Sequence, residues 1–248
     1  RGIGREVALL LAALGAGVVV NGRDDDAVAA VVAEITAGGG RAAGFAGSPS
    51  DAATAAALTA CCTETFGGPD ILVNCAGIPE PPGSSILTVT AAEFQAQLDS
   101  HLMTVFHSCR AVAPIMVAQG HGAIANTSSF AFLGDYGGTG YPAGKGAVNG
   151  LTLAIAAELR EHGIRANVVC PGAKTRISSG PDYAQQIGAL RRRGLLDEAT
   201  ARASLDAPPP EYAAPLYAYL VSDLARGITG QILVVAGGFV GRFDRPSP

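Results

Sequence analysis

The 248-residue sequence predicts an α/β fold with a doubly wound parallel sheet and helices on both faces. Three observations predict it. Helical and strand-like segments alternate along the whole chain. The strand-like segments are short apolar runs, such as Val18-Val19-Val20, Ile71-Leu72-Val73 and the five residues from Ile232 to Ala236. Polar residues close the run 123–129, at the carboxyl end of a strand, where open sheets of this Rossmann-like class hold their ligands.

Taken in order, Gly2-Ile3-Gly4 opens a helix over 5–15, and strand 17–21 follows with its three valines. Helix 25–38 leads to strand 41–46, and helix 51–66 leads to strand 70–74. A long helix over 91–119 precedes strand 122–127. Residues 146–159 are good helix formers with one apolar face, so Tyr141 opens a helix that runs to 162. Strand 164–170 comes next. The stretch 176–210 breaks the alternation and reads as irregular, with Arg191-Arg192-Arg193 and Pro208-Pro209-Pro210 inside it. Helix 211–224 and strand 231–235 complete the pattern. There is no internal repeat and no linker, so 1–248 reads as a single domain.

Composition narrows the function. Hydrophobic residues make up 48% of the chain and charged residues 15%, which expects helices covered on one face and often at subunit contacts. A net charge of −4 argues against a nucleic-acid surface. No apolar run reaches the roughly 20 residues of a membrane span. Five cysteines without a Cys-x-x-Cys pair or a His/Cys cluster argue against zinc, so no metal is expected. With no signal peptide visible, a reducing cytoplasm is the expected location.

Tyr141 and Lys145 are the most informative pair. A free tyrosine has a pKa near ~10. Residues i and i+4 share a helix face, so the ammonium can sit close to the phenol and is expected to lower that pKa. Ser128 lies 13 positions before Tyr141 on another element and is expected to hold a substrate oxygen, while Ser129 is one position short of that spacing. The trio suits proton transfer at a carbonyl or alcohol oxygen while a hydride moves at carbon.

With Gly2-Ile3-Gly4, Asn74-Cys75-Ala76-Gly77, Ser128, Tyr141 with Lys145, and Pro171-Gly172 with Thr175 in this order, the chain resembles the short-chain dehydrogenase/reductase family over nearly its whole length. The resemblance implies an NAD(P)-dependent alcohol dehydrogenase or carbonyl reductase. Tyr141 is then the acid–base residue, Lys145 lowers its pKa and meets the nicotinamide ribose, and Ser128 holds the substrate. His101 stands where many relatives have an asparagine that supports a water chain. It is read either as a relay residue that titrates near ~6.5 or as a packed histidine. The segment 176–210 corresponds to the family's mobile substrate-binding segment. Relatives often form dimers or tetramers through the helices at 91–119 and 141–162, so a homo-oligomer is expected.

The same resemblance assigns the dinucleotide to Arg1, Gly2, Ile3, Gly4, Arg23, Asn74, Ala76, Gly77, Tyr141, Lys145, Pro171, Gly172 and Thr175. A helix amino end suits a pyrophosphate. Where NAD-binding relatives carry an acidic residue, this chain has Gly22 and Arg23, which favours NADP(H) over NAD(H). Asp24, Asp25 and Asp26 are the alternative partners of those arginines. Asn74 is read equally as a brace between strands. The family's adenine-binding aspartate falls at Ser48, with Asp51 beyond it. The family opens with a strand and a longer glycine turn, whereas this sequence begins at Arg1, inside that turn. The first strand and the start of the Gly-rich turn are therefore expected to be missing. Such a strand buries side chains at about 1.5–3 kcal/mol each, so its place should either stay open or be filled by another segment.

The sequence leaves the substrate open. Segments near Gly134-Asp135-Tyr136-Gly137 and Ile228-Thr229-Gly230-Gln231 resemble dehydrogenase modules of β-oxidation enzymes, which implies a 3-hydroxyacyl thioester. Arg191-Arg192-Arg193 could then meet coenzyme A phosphates, or form a solvated face. Steroids, polyketide intermediates and small alcohols remain open. One rival reading is a non-catalytic relative kept for binding or assembly. Another is a sugar-nucleotide epimerase or dehydratase, for which too little chain follows Pro171.

Overall fold

The computed structural model describes residues 2–136 and 138–244. Arg1, assigned above to the dinucleotide site, and Gly137, named above in a segment resembling β-oxidation dehydrogenases, lie outside the described residues.

The elements follow in chain order as α1 (Ile3–Ala13), β1 (Gly17–Gly22), α2 (Asp25–Ala37), β2 (Arg41–Ala46), α3 (Ala52–Phe66) and β3 (Ile71–Asn74). Next come α4 (Ala91–Leu98), a π-helical turn (Asp99–Met103), α5 (Thr104–Gln119), β4 (Gly122–Thr127), α6 (Gly140–Glu158) and β5 (Ile164–Gly172). The chain continues with α7 (Pro181–Arg192), α8 (Glu198–Leu205), α9 (Ala214–Val221), β6 (Ile232–Ala236) and β7 (Phe239–Arg242). Local chemistry sets several starts. Asp24, Asp51 and Asp197 cap α2, α3 and α8, and Thr90 with Glu93 forms a reciprocal capping box on α4.

Strands β3, β4, β5 and β6 pair in parallel, and β1 pairs in parallel with β2. Helices α1 and α9 cover one face of the larger sheet, where Val7, Tyr217 and Leu220 pack on Ala123, Ala125 and Val169. Helix α1 also reaches β1 and α2. Helices α5 and α6 cover the other face through Val105, Met116 and Val148 against Ile124 and Ala166. This is the doubly wound arrangement, with β4 and β5 at its dry centre.

The structure differs from the sequence reading in four places. The 91–119 helix is interrupted by the π-turn at 99–103, where Thr104 Oγ1 donates to the Asp99 carbonyl at 3.3 Å. The irregular 176–210 stretch holds α7 and α8. Pro181 sits in the first turn of α7, and Ile187, Leu190, Leu196 and Ala201 bury the facing sides of the pair. Helix α9 is shorter than 211–224, because 3-10 turns at Pro210–Tyr212 and Asp223–Ala225 tighten both ends. Finally, β7 adds an antiparallel edge. Gly237, at φ +57°, turns the chain so that Val235 pairs with Val240. A short, exposed segment with Gly241 inside it carries no strand pattern of its own.

Among the described residues, β1 pairs with β2 alone, and β3, β4, β5, β6 and β7 form the other sheet in that order. No helix among them is long and apolar enough to cross a membrane.

Candidate active site

The carboxyl ends of β3, β4 and β5 meet the start of α6 at one cleft. Lys145 stands one turn into α6 beyond Tyr141. Its Nζ donates to the Thr127 carbonyl at 3.0 Å, and it lies 5.7 Å from the Tyr141 ring centroid. The lysine is 4% exposed, and burial pulls its pKa from 10.5 down to about 8, with the nearby thiols of Cys75 and Cys170 opposing the fall.

Tyr141 is half-buried against the cleft. Burial pushes its hydroxyl above the ordinary tyrosine value, and a hydrogen bond with the Ser129 side chain pulls the other way. The expected lowering by the ammonium is therefore overturned. Desolvation of a phenolate costs more here than the neighbouring groups return, so Tyr141 holds its proton.

The two serines, both at the cleft, are placed differently. Ser128 is 2% exposed, and its Oγ donates to the Lys145 carbonyl at 3.0 Å. It continues the alternation of β4: Asn126 bonds Thr152 of α6, Thr127 bonds Tyr217 of α9, and Ser128 turns back to α6. Ser129, at the next position, lines the cleft beside the Tyr141 hydroxyl. Spacing along the sequence could not decide between them, because 3-10 and irregular chain separates the strand from the tyrosine.

His101 lies within the π-turn, which aims it inward. It is 1% exposed, stands edge-on to Tyr141 at 4.9 Å between ring centroids, and places Nε2 3.2 Å from the Ile78 carbonyl and 3.1 Å from Gln97 Oε1. Two oxygens facing Nε2 assign its proton there, which leaves Nδ1 a buried acceptor with no partner among the described residues. A Cβ built on Gly77 would fall 3.1 Å from this Nδ1 and 3.7 Å from Lys145 Nζ, so the two nitrogens border the same small space. Burial, with the charge of Lys145 beside it, pushes the pKa of His101 down to about 3. The expected titration near neutral pH is overturned, and this imidazole is neutral.

Two groups escaped the sequence reading. The Glu80 carboxylate accepts hydrogen bonds from the backbone amides of Thr139, Gly140 and Tyr141, and Gln97 Nε2 donates to the Pro79 carbonyl at 2.7 Å. The only local signal was the paired glycines Gly138 and Gly140 before the tyrosine.

On the dinucleotide side, α1 begins at Gly2, whose φ of +68° belongs to the glycine-favoured region and which gives no side-chain cap. The amides at this end are open to an anion. A Cβ on Gly2 would come within 4.0 Å of Thr175 Cγ2, and one on Gly4 within 3.3 Å of Cys75, so the turn, the 171–175 segment and the end of β3 border one space. Ile3, Ala76 and Gly77 line the same cleft. The residues present thus fit a nicotinamide dinucleotide. Pro171 and Gly172 belong to β5 rather than to a loop, paired with Val235 and Ala236. Asn74 is a strand brace, its Nδ2 donating to Asn126 Oδ1 at 2.9 Å.

Arg23 is exposed at the same cleft, and no ion pair engages it among the described residues. Asp24 is occupied as the α2 cap, with Ala27 N donating to it at 2.9 Å. Asp51 is likewise held by Thr54 as the α3 cap, and Ser48 by Ser50 at 2.9 Å. Arg191 pairs with Glu198 at 2.7 Å on exposed helix surface. The substrate side of the cleft is bounded by Tyr136, Tyr183, Leu195 and Leu196, and Tyr136 Oη lies 3.1 Å from Ser204 Oγ. An oxygen atom placed between Tyr141 and Ser129 would meet a proton donor and a second hydroxyl, with an ammonium close behind.

A family model described as enoyl-(acyl carrier protein) reductase matches residues 1–240. The chain is 40% identical over 181 residues to a 3alpha-hydroxysteroid dehydrogenase of Mediterraneibacter gnavus, which covers 70% of this chain and 66% of that protein. It is 35% identical over 238 residues to the short-chain reductase protein NovJ of Streptomyces niveus, covering 96% and 90% of the two chains. Among solved structures, a short chain dehydrogenase from Mycobacterium avium superposes with a TM-score of 0.81 at 34% identity, over 100% of this chain and 83% of that one.

Proposed function

The chain belongs to the short-chain dehydrogenase/reductase family, and on that premise we propose that it interconverts a secondary alcohol and a ketone at the Tyr141 cleft. The observation that carries this reading is the convergence of Tyr141, Ser129 and the Lys145 ammonium at the carboxyl ends of the central strands. A nicotinamide dinucleotide bound there supplies or accepts the hydride. Tyr141 gives its proton to the ketone oxygen in reduction and takes it back in oxidation. Ser129 holds that oxygen, in place of Ser128. Lys145 offsets negative charge as it develops on the phenol oxygen, and its bond to the Thr127 carbonyl fixes it there. His101 is a positioning residue for Lys145 through its free Nδ1.

Gly2, Ile3, Gly4, Ala76, Gly77 and Thr175 would hold the dinucleotide. NADP(H) is preferred to NAD(H), because Arg23 is exposed, with no ion pair among the described residues, where a 2′-phosphate would come. The substrate enters under α7 and α8. The cleft there is walled by aromatic and leucine side chains, which suits a bulky apolar ketone; the relatives' names include a steroid dehydrogenase and the family model an acyl-carrier reductase. A 3-hydroxyacyl thioester is the narrower candidate, and a homo-oligomer the proposed assembly.

The test is Tyr141→Phe. NADPH consumption with a panel of 3-ketosteroids and 3-oxoacyl thioesters should fall about 10³-fold, within the 10²–10⁴ range of acid–base catalysis. NADPH binding, followed by fluorescence, should change less than about twofold, since the phenyl ring remains. Undiminished turnover in Tyr141→Phe would sink the mechanism.

A further inference from the structure

Helix α6 carries Tyr141 in its first turn, and its own sequence supplies no cap. Thr139, at the cap position, makes no side-chain hydrogen bond there. The first amides of a helix have no intrahelical acceptor and must be met from elsewhere. Here they are met by Glu80, from the segment that follows β3. Glu80 Oε1 accepts from the amides of Thr139 at 3.1 Å and Gly140 at 3.2 Å, and Oε2 accepts from the amide of Tyr141 itself. Ser84 Oγ donates to Oε1 at 2.6 Å from the far side.

The surroundings are shaped for this carboxylate. A Cβ on Gly138, whose φ is +78°, would stand 2.7 Å from Glu80 Cγ. A Cβ on Gly140 would stand 2.6 Å from Gln97 Cγ and 3.7 Å from Glu80 Oε2. The two glycines therefore leave the room that the acidic side chain and its neighbour Gln97 occupy. The segment itself is fixed from below, Gln97 holding Pro79 and His101 holding Ile78.

We propose that Glu80 is a positioning residue: by locking the backbone of residues 139–141, its carboxylate sets where the Tyr141 hydroxyl stands in the cleft. A negative charge at a helix amino end is favoured by the helix dipole, and each amide bond to it is charge-assisted. The carboxylate of Glu80 is taken up by backbone amides and Ser84. It acts through the peptide unit of Tyr141, and a displacement of about 1 Å at a reacting group can cost about 10²-fold in rate. The inference rests on the reading of Tyr141 as the proton-transfer residue.

The experiment compares Glu80→Gln, Glu80→Ala and Tyr141→Phe with the parent chain by two readouts. One is amide hydrogen exchange at Thr139, Gly140 and Tyr141, which needs no substrate. The other is kcat and KM for whichever 3-oxoacyl thioester or 3-ketosteroid the parent reduces with NADPH. In Glu80→Ala, exchange at these three amides should quicken by about tenfold or more, as loss of a charge-assisted bond implies. Its kcat should fall about 10²-fold with KM within about twofold. Glu80→Gln keeps an acceptor oxygen and should recover part of both losses. Unchanged exchange in Glu80→Ala would overturn the cap, and faster exchange with unchanged kcat would overturn the positioning role. If Glu80→Ala does not fold, the same two criteria apply to Glu80→Gln. Retained turnover in Tyr141→Phe defeats the acid–base reading instead, and the exchange data still judge the cap.

Discussion

The two pieces of the sheet are built from similar residues and live in different surroundings. In the larger piece, every residue of β4 is buried, as are Ala166, Val168 and Val169 of β5. In the smaller piece, all six residues of β1 are only half-buried, although Val18, Val19 and Val20 are as apolar as anything in the centre. The facing strand β3 shows the same pattern at Ile71, Leu72 and Val73. Side-chain chemistry does not produce this contrast. Covering neighbours do: β4 has partner strands on both edges and helices on both faces, and β1 has one partner strand.

The difference bears on function. On the dry side, burial itself tunes the chemistry. It holds Tyr141 protonated, brings Lys145 down to about 8 and keeps His101 neutral. On the open side, the groups that the proposed dinucleotide would meet are backbone and exposed charge, namely the amides at Gly2 and the guanidinium of Arg23. Substitutions on the dry side should therefore alter stability and rate together. Those on the open side should alter selectivity with little change in stability.

The largest effect should come from His101. Its folded pKa lies below the 6.5 of the unfolded chain, so the unfolded state takes up the proton first as pH falls. Stability from this group is complete above pH 6.5 and lost progressively toward pH 3. A span of 3.5 units, at 1.36 kcal/mol each, corresponds to up to about 5 kcal/mol. His101→Asn should flatten that part of the acid limb in urea unfolding followed from pH 7 to 3. Parallel curves for the two proteins would show that the imidazole titrates normally.

A paired truncation sharpens the comparison directly. Ile124→Ala removes a side chain that is 2% exposed between α5 and β5, and should cost about 2–5 kcal/mol. Val19→Ala removes one that is half-buried at the open edge, and should cost about 1 kcal/mol or less. Equal losses in denaturant titrations would mean that the two sheet pieces are equally covered in solution.

The smallest effect on the fold, and the most selective, is expected from Arg23→Asp. It should weaken NADPH binding by about tenfold or more relative to NADH, as one lost charge-assisted contact implies. The melting temperature without dinucleotide should barely move, since Arg23 holds no ion pair among the described residues. Equal weakening of both dinucleotides would remove the preference for NADP(H).

The sequence by itself determined the fold class, the order of the elements and the Tyr141–Lys145 pair. These depend on periodicity and on spacing within single elements, which local chain geometry dictates. Strand alternation and the i, i+4 relation survive whatever surrounds them. Tertiary structure alone decided the rest. It turned Ser128 back to the Lys145 carbonyl and set Ser129 beside Tyr141, because an irregular path of fixed residue count can end in many places. It put Glu80 at the head of α6 because a cap taken from distant chain leaves no local pattern beyond Gly138 and Gly140. It set the protonation of Tyr141, Lys145 and His101, since desolvation depends on everything packed around a group and a sequence counts only its neighbours along the chain.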